Sequence, residues 1–499
     1  MKEFQLNFLS NKKNKRWLTI LNFLELSEVI SSTELSKGLG VVERTIIIDV
    51  NQVKNEISEY AEITSFNTGY TLKIKNMEKY LTFKKKLLSQ EPLFIILENI
   101  FYNNLYSIDE WSDKLYISKT TLVRYLTKVE SIFTIYNLSI QYNPLNFVGS
   151  EVNIRKFFLD FYYISNYTPH TIFPDLKVVE IAEALFENEQ FKNNTSITSL
   201  ELAYYIYISI ERSLRGNNVL LTKESNQIYI NNNNNEFEKL DKYVYKTYNH
   251  QLSGDELAYV YCLYISNRTT NQSKEIAFYH QFASSFQIDR LVKNNFNNKL
   301  IFIENKQLDL IFLNSFFLSV KIRHLLSPVY TMNISDHTTD SISYNLVAYE
   351  NLYMCVQLIL EELGIDTYRK DIISNLLRLK QTLRDIHVKK QKNIVFLLEG
   401  DAFIRQNIEA KAIKYFSFHN LFFIDKMYFE TFMESNYIDI IVTNYTEYFE
   451  NISTIKYILF DTIPSLSDWE NLLVESSSKE ELEFLIKKIK ISLTNRLAQ

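Results

Sequence analysis

Apolar residues recur at i, i+3 and i+4 through most of this chain, the spacing that lines one face of an α-helix. Trp17 to Leu26, Leu93 to Phe101, Leu200 to Leu214, Glu256 to Ile265, Leu308 to Leu326 and Tyr344 to Glu362 carry it clearly, and residues 170 to 390 are predicted to be nearly continuous helix. Two short stretches differ. Glu62 to Phe66 and Tyr70 to Ile74 flank Asn67-Thr68-Gly69, and Leu138 to Tyr142 and Asn146 to Gly149 flank Asn143-Pro144-Leu145, so each predicts a β-hairpin. Beyond Lys389 the pattern alternates. Apolar runs Ile394 to Leu398, Leu421 to Ile424, Ile438 to Val442 and Tyr457 to Phe460 are interleaved with helical segments near Ala402 to Lys414, Tyr428 to Ser435 and after Ser467. Short, fully apolar strands alternating with helices predict a small parallel sheet covered on its faces.

The front of the chain repeats itself. An offset of 76 superposes Leu35 on Trp111, Ser36 on Ser112, Leu39 on Leu115, Val41 on Ile117, Thr45 on Thr121, Ile46 on Leu122, Val50 on Leu126 and Val53 on Val129. Each copy reads as an apolar helix, a short helix capped by Thr33 or Asp109, a three-residue turn, a longer helix and then the hairpin. A small residue (Ser36, Ser112) where the helices cross, and apolar anchors on both sides of the turn, are what a helix-turn-helix requires. Gly40 occupies the first turn, where positive φ is usual, and Tyr116 takes that place in the second. A hairpin after the long helix is a wing. Such a unit also occurs as a protein-interaction module, but two copies in one register favour DNA readers.

Outward positions of the two long helices are the candidate DNA contacts. The first offers Glu43, Arg44, Thr45 and Asp49, with Asn51 and Lys54 behind them; the second offers Ser118, Lys119, Thr120, Thr121, Arg124 and Lys128. Arg and Lys reach guanine edges or phosphates, and hydroxyls at a helix start can hold a phosphate. The second copy is the more basic and is expected to supply more of the affinity.

Composition changes this picture little. The net charge of -5 opposes a nucleic-acid partner only on average, because residues 1 to 150 hold 18 Lys and Arg against 16 Asp and Glu. The clusters Lys12, Lys13, Lys15, Arg16 and Lys84, Lys85, Lys86 fit solvated helix faces as well as phosphate contacts. A length of 499 residues implies several domains, and 8 Gly with 6 Pro imply long helices. Cys262 and Cys355, without ligand-spaced partners, support neither a disulfide framework nor a metal site. Asn231 to Asn235 reads as a surface loop. The start of the chain does not read as a signal peptide and no uncharged apolar run suits a membrane span, so a cytoplasmic protein without membrane contact is expected. No nucleotide-binding, metallohydrolase or serine-hydrolase motif occurs, and neither a cofactor nor an enzymatic activity is expected.

VERTIIIDV (Val42 to Val50) and SKTTLVRYL (Ser118 to Leu126) resemble the two recognition helices of the Mga/AtxA family of Gram-positive regulators, and the order of elements is similar over essentially the full chain. The resemblance implies a mainly α, multidomain protein: winged helix-turn-helix domains at 1–76 and 77–168, all-α regulation domains similar to those of the sugar phosphotransferase system at 169–282 and 283–390, and an enzyme IIB-like α/β domain at 391–499. It further implies a transcriptional activator that binds double-stranded DNA and forms a homo-oligomer through its C-terminal domain, with phosphocarrier proteins as candidate partners. In related regulation domains a phosphate-accepting His stands about seven residues before an Arg, and those positions before Arg212 and Arg323 are Tyr205 and Phe316. His250, His280 and His324 remain as candidate phosphorylation sites, with His337 and His387 near the domain ends. A phosphate-carrying IIB domain needs a Cys after its first strand, where Leu398 is followed by Glu399, Gly400 and Asp401, so dimerisation or sensing is the expected role. The alternatives are a phosphotransferase-linked sugar regulator and an RNA-binding antiterminator controlled by histidine phosphorylation.

Overall fold

The computed structural model describes residues 3–163, 172–193, 195–231, 235–282, 285–296, 305–327, 329, 346–387, 391–445 and 455–476. His337, Asn232 to Asn234 and the expected boundary residues 168, 169, 283 and 390 lie outside this set, as does the side chain of His387. The chain divides into two units, Met1–Arg384 and Asp385–Gln499.

The first unit opens with α1 (Glu3–Leu6), α2 (Lys12–Leu26), α3 (Ser32–Leu39), α4 (Glu43–Ile57), the hairpin β1 (Ala61–Phe66) and β2 (Gly69–Ile74), and α5 (Met77–Ser89). The order then recurs in α6 (Pro92–Phe101), α7 (Ile108–Leu115), α8 (Lys119–Ile135), β3 (Ser139–Tyr142), β4 (Leu145–Val148) and α9 (Glu151–Tyr162). Leu35, Ile46, Val50, Val53 and Ile57 close the first core against Trp17 and Leu21 of α2 and Ile63 of β1. The caps of the short helices are Ser31 and Ser107, two residues before the expected Thr33 and Asp109. Each serine hydroxyl accepts the backbone N–H of Glu34 or Glu110, whose carboxylate accepts the serine N–H in return, at 2.9 and 2.7 Å. Two orphan donors are satisfied at once, which a lone Thr or Asp cap does not achieve.

Neither lysine cluster is a plain solvated face. Lys84 is fully buried, 2.7 Å from Glu25, which also accepts the Tyr80 hydroxyl. Arg16 is drawn onto a buried Asp49 at 2.5 Å. One cation from each cluster thus holds α5 or α4 onto α2.

The modules are also tied to each other. Phe8, fully buried, stands among the rings of Phe133, Phe157 and Phe161 in the second module. The Glu91 carboxylate, at the start of α6, accepts Ser10 N–H at 2.8 Å, Asn11 N–H at 3.3 Å and Asn14 Nδ2 at 3.2 Å.

Helices α10 (Leu176–Phe186), α11 (Glu189–Asn193), α12 (Ser199–Leu214), α13 (Lys223–Ile230), α14 (Asn235–Tyr248), α15 (Gly254–Ile265), α16 (Gln272–Phe282), α17 (Ile288–Phe296), α18 (Lys306–Leu326), α19 (Leu346–Glu362) and α20 (Arg369–His387) complete the unit. Helix α12 packs on α10 and α15, and α18 packs on α13, α15, α16 and α17.

A buried ionic network joins this bundle to the second module. Arg155 and Glu256 are both fully buried and face each other in a fork at 2.6 and 2.8 Å. Arg155 also reaches Glu151, Ser209 and the Asn217 carbonyl, and the Val219 N–H donates to Glu256. Arg212 grips Glu151 at 2.7 and 2.8 Å while donating to the carbonyls of Ile100 and Phe101, at the end of α6, at 2.9 and 3.1 Å.

The second unit contains β5 (Asn393–Leu397), α21 (Ala402–Phe416), β6 (Asn420–Phe423), α22 (Lys426–Ser435), β7 (Ile440–Thr443), β8 (Lys456–Leu459) and α23 (Leu466–Ser476). Its strands form a parallel sheet in the order β6-β5-β7-β8. Ile394, Phe396, Ile440 and Val442 meet α21 and α23 on one face, and Val395, Leu397 and Ile441 meet α22 on the other. Both faces of the central strands are covered, which is why those runs are apolar without alternation.

Glu256→Ala would strand the Arg155 guanidinium in the core, an expected cost of about 3–5 kcal/mol. The urea midpoint of the full chain, followed by Trp fluorescence, should fall accordingly. The double replacement Arg155→Met with Glu256→Met should recover most of the stability, because no uncompensated charge remains.

Candidate nucleic-acid interface

The turn between α3 and α4, and its counterpart between α7 and α8, are each held by a serine. Ser36 Oγ donates to the Val41 carbonyl at 2.6 Å, and Ser112 Oγ donates to the Ile117 carbonyl at 2.5 Å. These positions therefore need a hydroxyl as well as small size. Gly40 and Tyr116 adopt the same left-handed conformation, at φ 65° and 53°. The Tyr116 side chain projects into solvent, 95% exposed, so only its backbone bears the cost. A further tie repeats with its chemistry changed: Thr33 Oγ1 donates to Glu43 at 2.7 Å, while Lys119 pairs with Asp109 at 2.8 Å. Both link the short helix to the first residue of the long one.

On α4, Arg44 and Lys54 are exposed and Thr45 is half-buried. Asp49 is not an outward residue. It is 2% exposed and accepts from Arg16 and, at 3.2 Å, from Trp17 Nε1, which anchors α4 to α2. Its period on the helix matches that of Ile46 and Val53, and the sequence alone does not reveal the cation that draws it inward. The outer face instead carries Arg44, Ile47, Ile48, Asn51 and Lys54; polarity along the sequence gives no sign of the two isoleucines there.

On α8, Ser118 caps the helix by accepting Thr121 N–H at 3.2 Å and bonds the half-buried Thr121 hydroxyl at 2.9 Å. Thr120, Arg124 and Lys128 are exposed at i, i+4 and i+8, and no ion pair among the described residues involves Arg124 or Lys128. Lys119 is exposed as well as paired to Asp109. The second helix thus presents a hydroxyl and two cations outside any such ion pair along one line.

Each hairpin is fastened to the loop before its short helix. Ile30 and Tyr70 exchange backbone hydrogen bonds at 3.1 and 2.8 Å, and Leu145 N–H donates to the Tyr106 carbonyl at 2.7 Å. Gly69 is required by this approach, since a Cβ there would lie 2.3 Å from the Ile30 carbonyl oxygen. The first hairpin carries an exposed Lys73 and a Lys75 paired with Glu62, whereas no charged residue lies between Ser139 and Val148 in the second. Lys73 is a hairpin cation outside α4 and α8; its place on a turn-bounded alternating strand is the sequence signal that marks it.

The histidines are scattered. His250 Nε2 lies 2.7 Å from Ser213 Oγ, His280 is exposed beside Tyr279, and His324 is half-buried, where burial and then Lys321 push its imidazole below the ordinary pKa. Tyr205 is hydrogen-bonded to Glu201 at 2.9 Å, and Phe316 is buried. In the second unit, Asp401 caps α21 by accepting Phe403 and Ile404 N–H at 2.9 and 3.2 Å, so the helix start already holds a carboxylate. Among the described residues, no group of three or more His, Cys, Asp or Glu could hold a metal ion, and no helix is long and apolar enough to cross a membrane.

The Mga helix-turn-helix domain family matches residues 70–162, from β2 to the last residue of α9. The chain is 27% identical over 241 residues to the capsule synthesis positive regulator AcpB of Bacillus anthracis, covering 46% of this chain and 48% of that protein. It is 23% identical over 194 residues to a protein of Streptococcus pneumoniae named as a trans-acting regulator, covering 38% and 39%. The matched segments therefore span about half of these relatives or less. Residues 70–162, which include the α7–turn–α8 geometry, thus match a Mga helix-turn-helix domain, and the chain is similar to two proteins named as regulators.

Proposed function

We propose that the protein is a transcriptional regulator that binds duplex DNA through winged helix-turn-helix domains at 1–76 and 77–168. The observation that carries this reading is the repetition, 76 residues apart, of a serine-pinned turn followed by a long helix whose outer face is exposed. The name of AcpB, a positive regulator, supports activation as the outcome. Helical regulation domains at 169–282 and 283–390 and an enzyme IIB-like domain at 391–499 complete the proposed organisation. The RNA-binding alternative lacks a motivating feature, because the front of the chain is built from helix-turn-helix copies.

Arg124→Ala with Lys128→Ala should weaken duplex binding more than Arg44→Ala with Lys54→Ala. Removing one phosphate-binding cation should flatten the slope of log K against log salt by about 0.9. Gel shifts over a salt series, with duplex DNA and single-stranded RNA in parallel, measure this. Slopes equal to those of the unaltered protein, or a preference for RNA, would refute the reading.

Self-association through the C-terminal unit is proposed from its exposed apolar residues, among them Phe403, Met427, Ile463 and Leu466, each more than 70% exposed. A chain ending at Arg384 should sediment as a smaller assembly than the full chain; an equal association number would argue against this interface.

If phosphocarrier proteins act on the chain, His280 is the proposed acceptor, since a donor protein must reach the imidazole and His280 is the exposed one of the three candidates. Incubation with the phosphorelay enzymes and phosphoenolpyruvate should place acid-labile phosphate on His280, read by mass spectrometry. No stoichiometric label would remove phosphorelay control from the proposal.

A further inference from the structure

The two recognition helices occupy the same place in their modules and present different chemistry there. At the offset of 76, Arg44 corresponds to Thr120, Ile48 to Arg124, Asn51 to Thr127 and Gln52 to Lys128. Ile48 is 49% exposed and Ile47 is 44% exposed, while Arg124 is likewise exposed. An outward position in the middle of a helix favours Lys, Glu or Gln, which lose little rotamer freedom and stay hydrated; β-branched residues lose χ1 freedom there. Two adjacent isoleucines left half uncovered are not accounted for by the first module's core, which Ile46, Val50 and Val53 already fill from the opposite face. They lie between Arg44 and Asn51, so the apolar surface is continuous with groups suited to phosphates and base edges.

We infer that Ile47 and Ile48 read thymine 5-methyl groups in the major groove, while Arg124 at the position equivalent to Ile48 in the second module reads guanine. This rests on the proposal that both modules bind duplex DNA. Thymine is the base that offers an apolar group in the major groove, and guanine offers the O6 and N7 acceptors that fit a guanidinium fork. The first module, poor in cations on this helix, then contributes discrimination more than electrostatic affinity. Because Phe8 and Glu91 hold the modules together, the two kinds of readout fall at a fixed separation on one duplex.

The test begins with selection of duplexes from a random library by the full-length protein, followed by replacement of each selected thymine by deoxyuridine, which removes only the methyl group. Removal of a methyl that the protein touches should weaken binding of the unaltered protein about fourfold. Ile48→Ser should lose the methyl penalty at one of the selected thymines, the one Ile48 touches, and Ile48→Arg should shift the selected base at that position towards guanine. Ile48 is half exposed, so these variants should retain the fold, checked by an unchanged thermal midpoint. Equal binding of both duplexes by the unaltered protein, or a methyl penalty undiminished at every selected thymine in Ile48→Ser, would overturn the inference while leaving DNA binding intact. Failure to retain any duplex would instead overturn the DNA-binding proposal and this inference with it. If Ile48→Ser changes the sedimenting species but not the affinity for DNA, the face docks protein and the inference is wrong.

Discussion

The Arg155–Glu256 pair, with Glu151 and Arg212 around it, is the interaction on which the N-terminal unit depends. Burial alone works against the Arg155 charge, yet hydrogen bonds and attraction from Glu256, with Glu151 behind it, hold its pKa above the ordinary value. Such a group is stable only if every donor finds an acceptor, and the acceptors come from α9, α12, α15 and the Asn217 to Val219 loop. The geometry of four separate segments is thereby specified by one guanidinium. Arg212 extends the same network to the end of α6, where its guanidinium donates to the Ile100 and Phe101 carbonyls. A displacement of α12 or α15 therefore cannot leave α6, the first helix of the second module, unaffected. This is a physical connection between the helical bundle and the face that presents Arg124 and Lys128.

The two modules show how a duplicated frame can hold while its surface diverges. What repeats is the satisfaction of the backbone: the Ser31 and Ser107 boxes, the Ser36 and Ser112 clasps, the left-handed residues 40 and 116, and the hairpin tethers at Ile30 and Tyr106. These features pair polar groups that any such fold must pair. What differs is either exposed or packed against something local to one copy. Asp49 has no ionic counterpart in the second copy, where the position is Tyr125, because Arg16 and Trp17 are replaced by Pro92 and Leu93.

In the second unit the same logic explains an occupied helix start. Asp401 supplies a fixed negative charge to the N-terminal amides of α21, so an incoming anion would meet both a filled site and a like charge. The sheet beside it keeps its apolar strands because they are covered on both faces, independently of any chemistry at the strand ends.

The mainly helical architecture, the helix-turn-helix and the small C-terminal parallel sheet are legible from the amino acids alone, because they follow from local periodicity and from a repeat that needs no distant information. Helical phase also places Arg44, Arg124 and Lys128 outward, opposite Ile46, Leu122 and Leu126. The same phase and polarity mislead at Asp49, Lys84 and the helix caps. A carboxylate or ammonium group is assigned to solvent by its hydration cost, and only the folded chain brings the partner that offsets that cost: Arg16 and Trp17 for Asp49, and Glu25 for Lys84. Folding likewise settles that Phe8 and Glu91 bind the two modules together and that Arg212 closes α6. Those contacts join residues about 80 or more positions apart, beyond the reach of any local pattern.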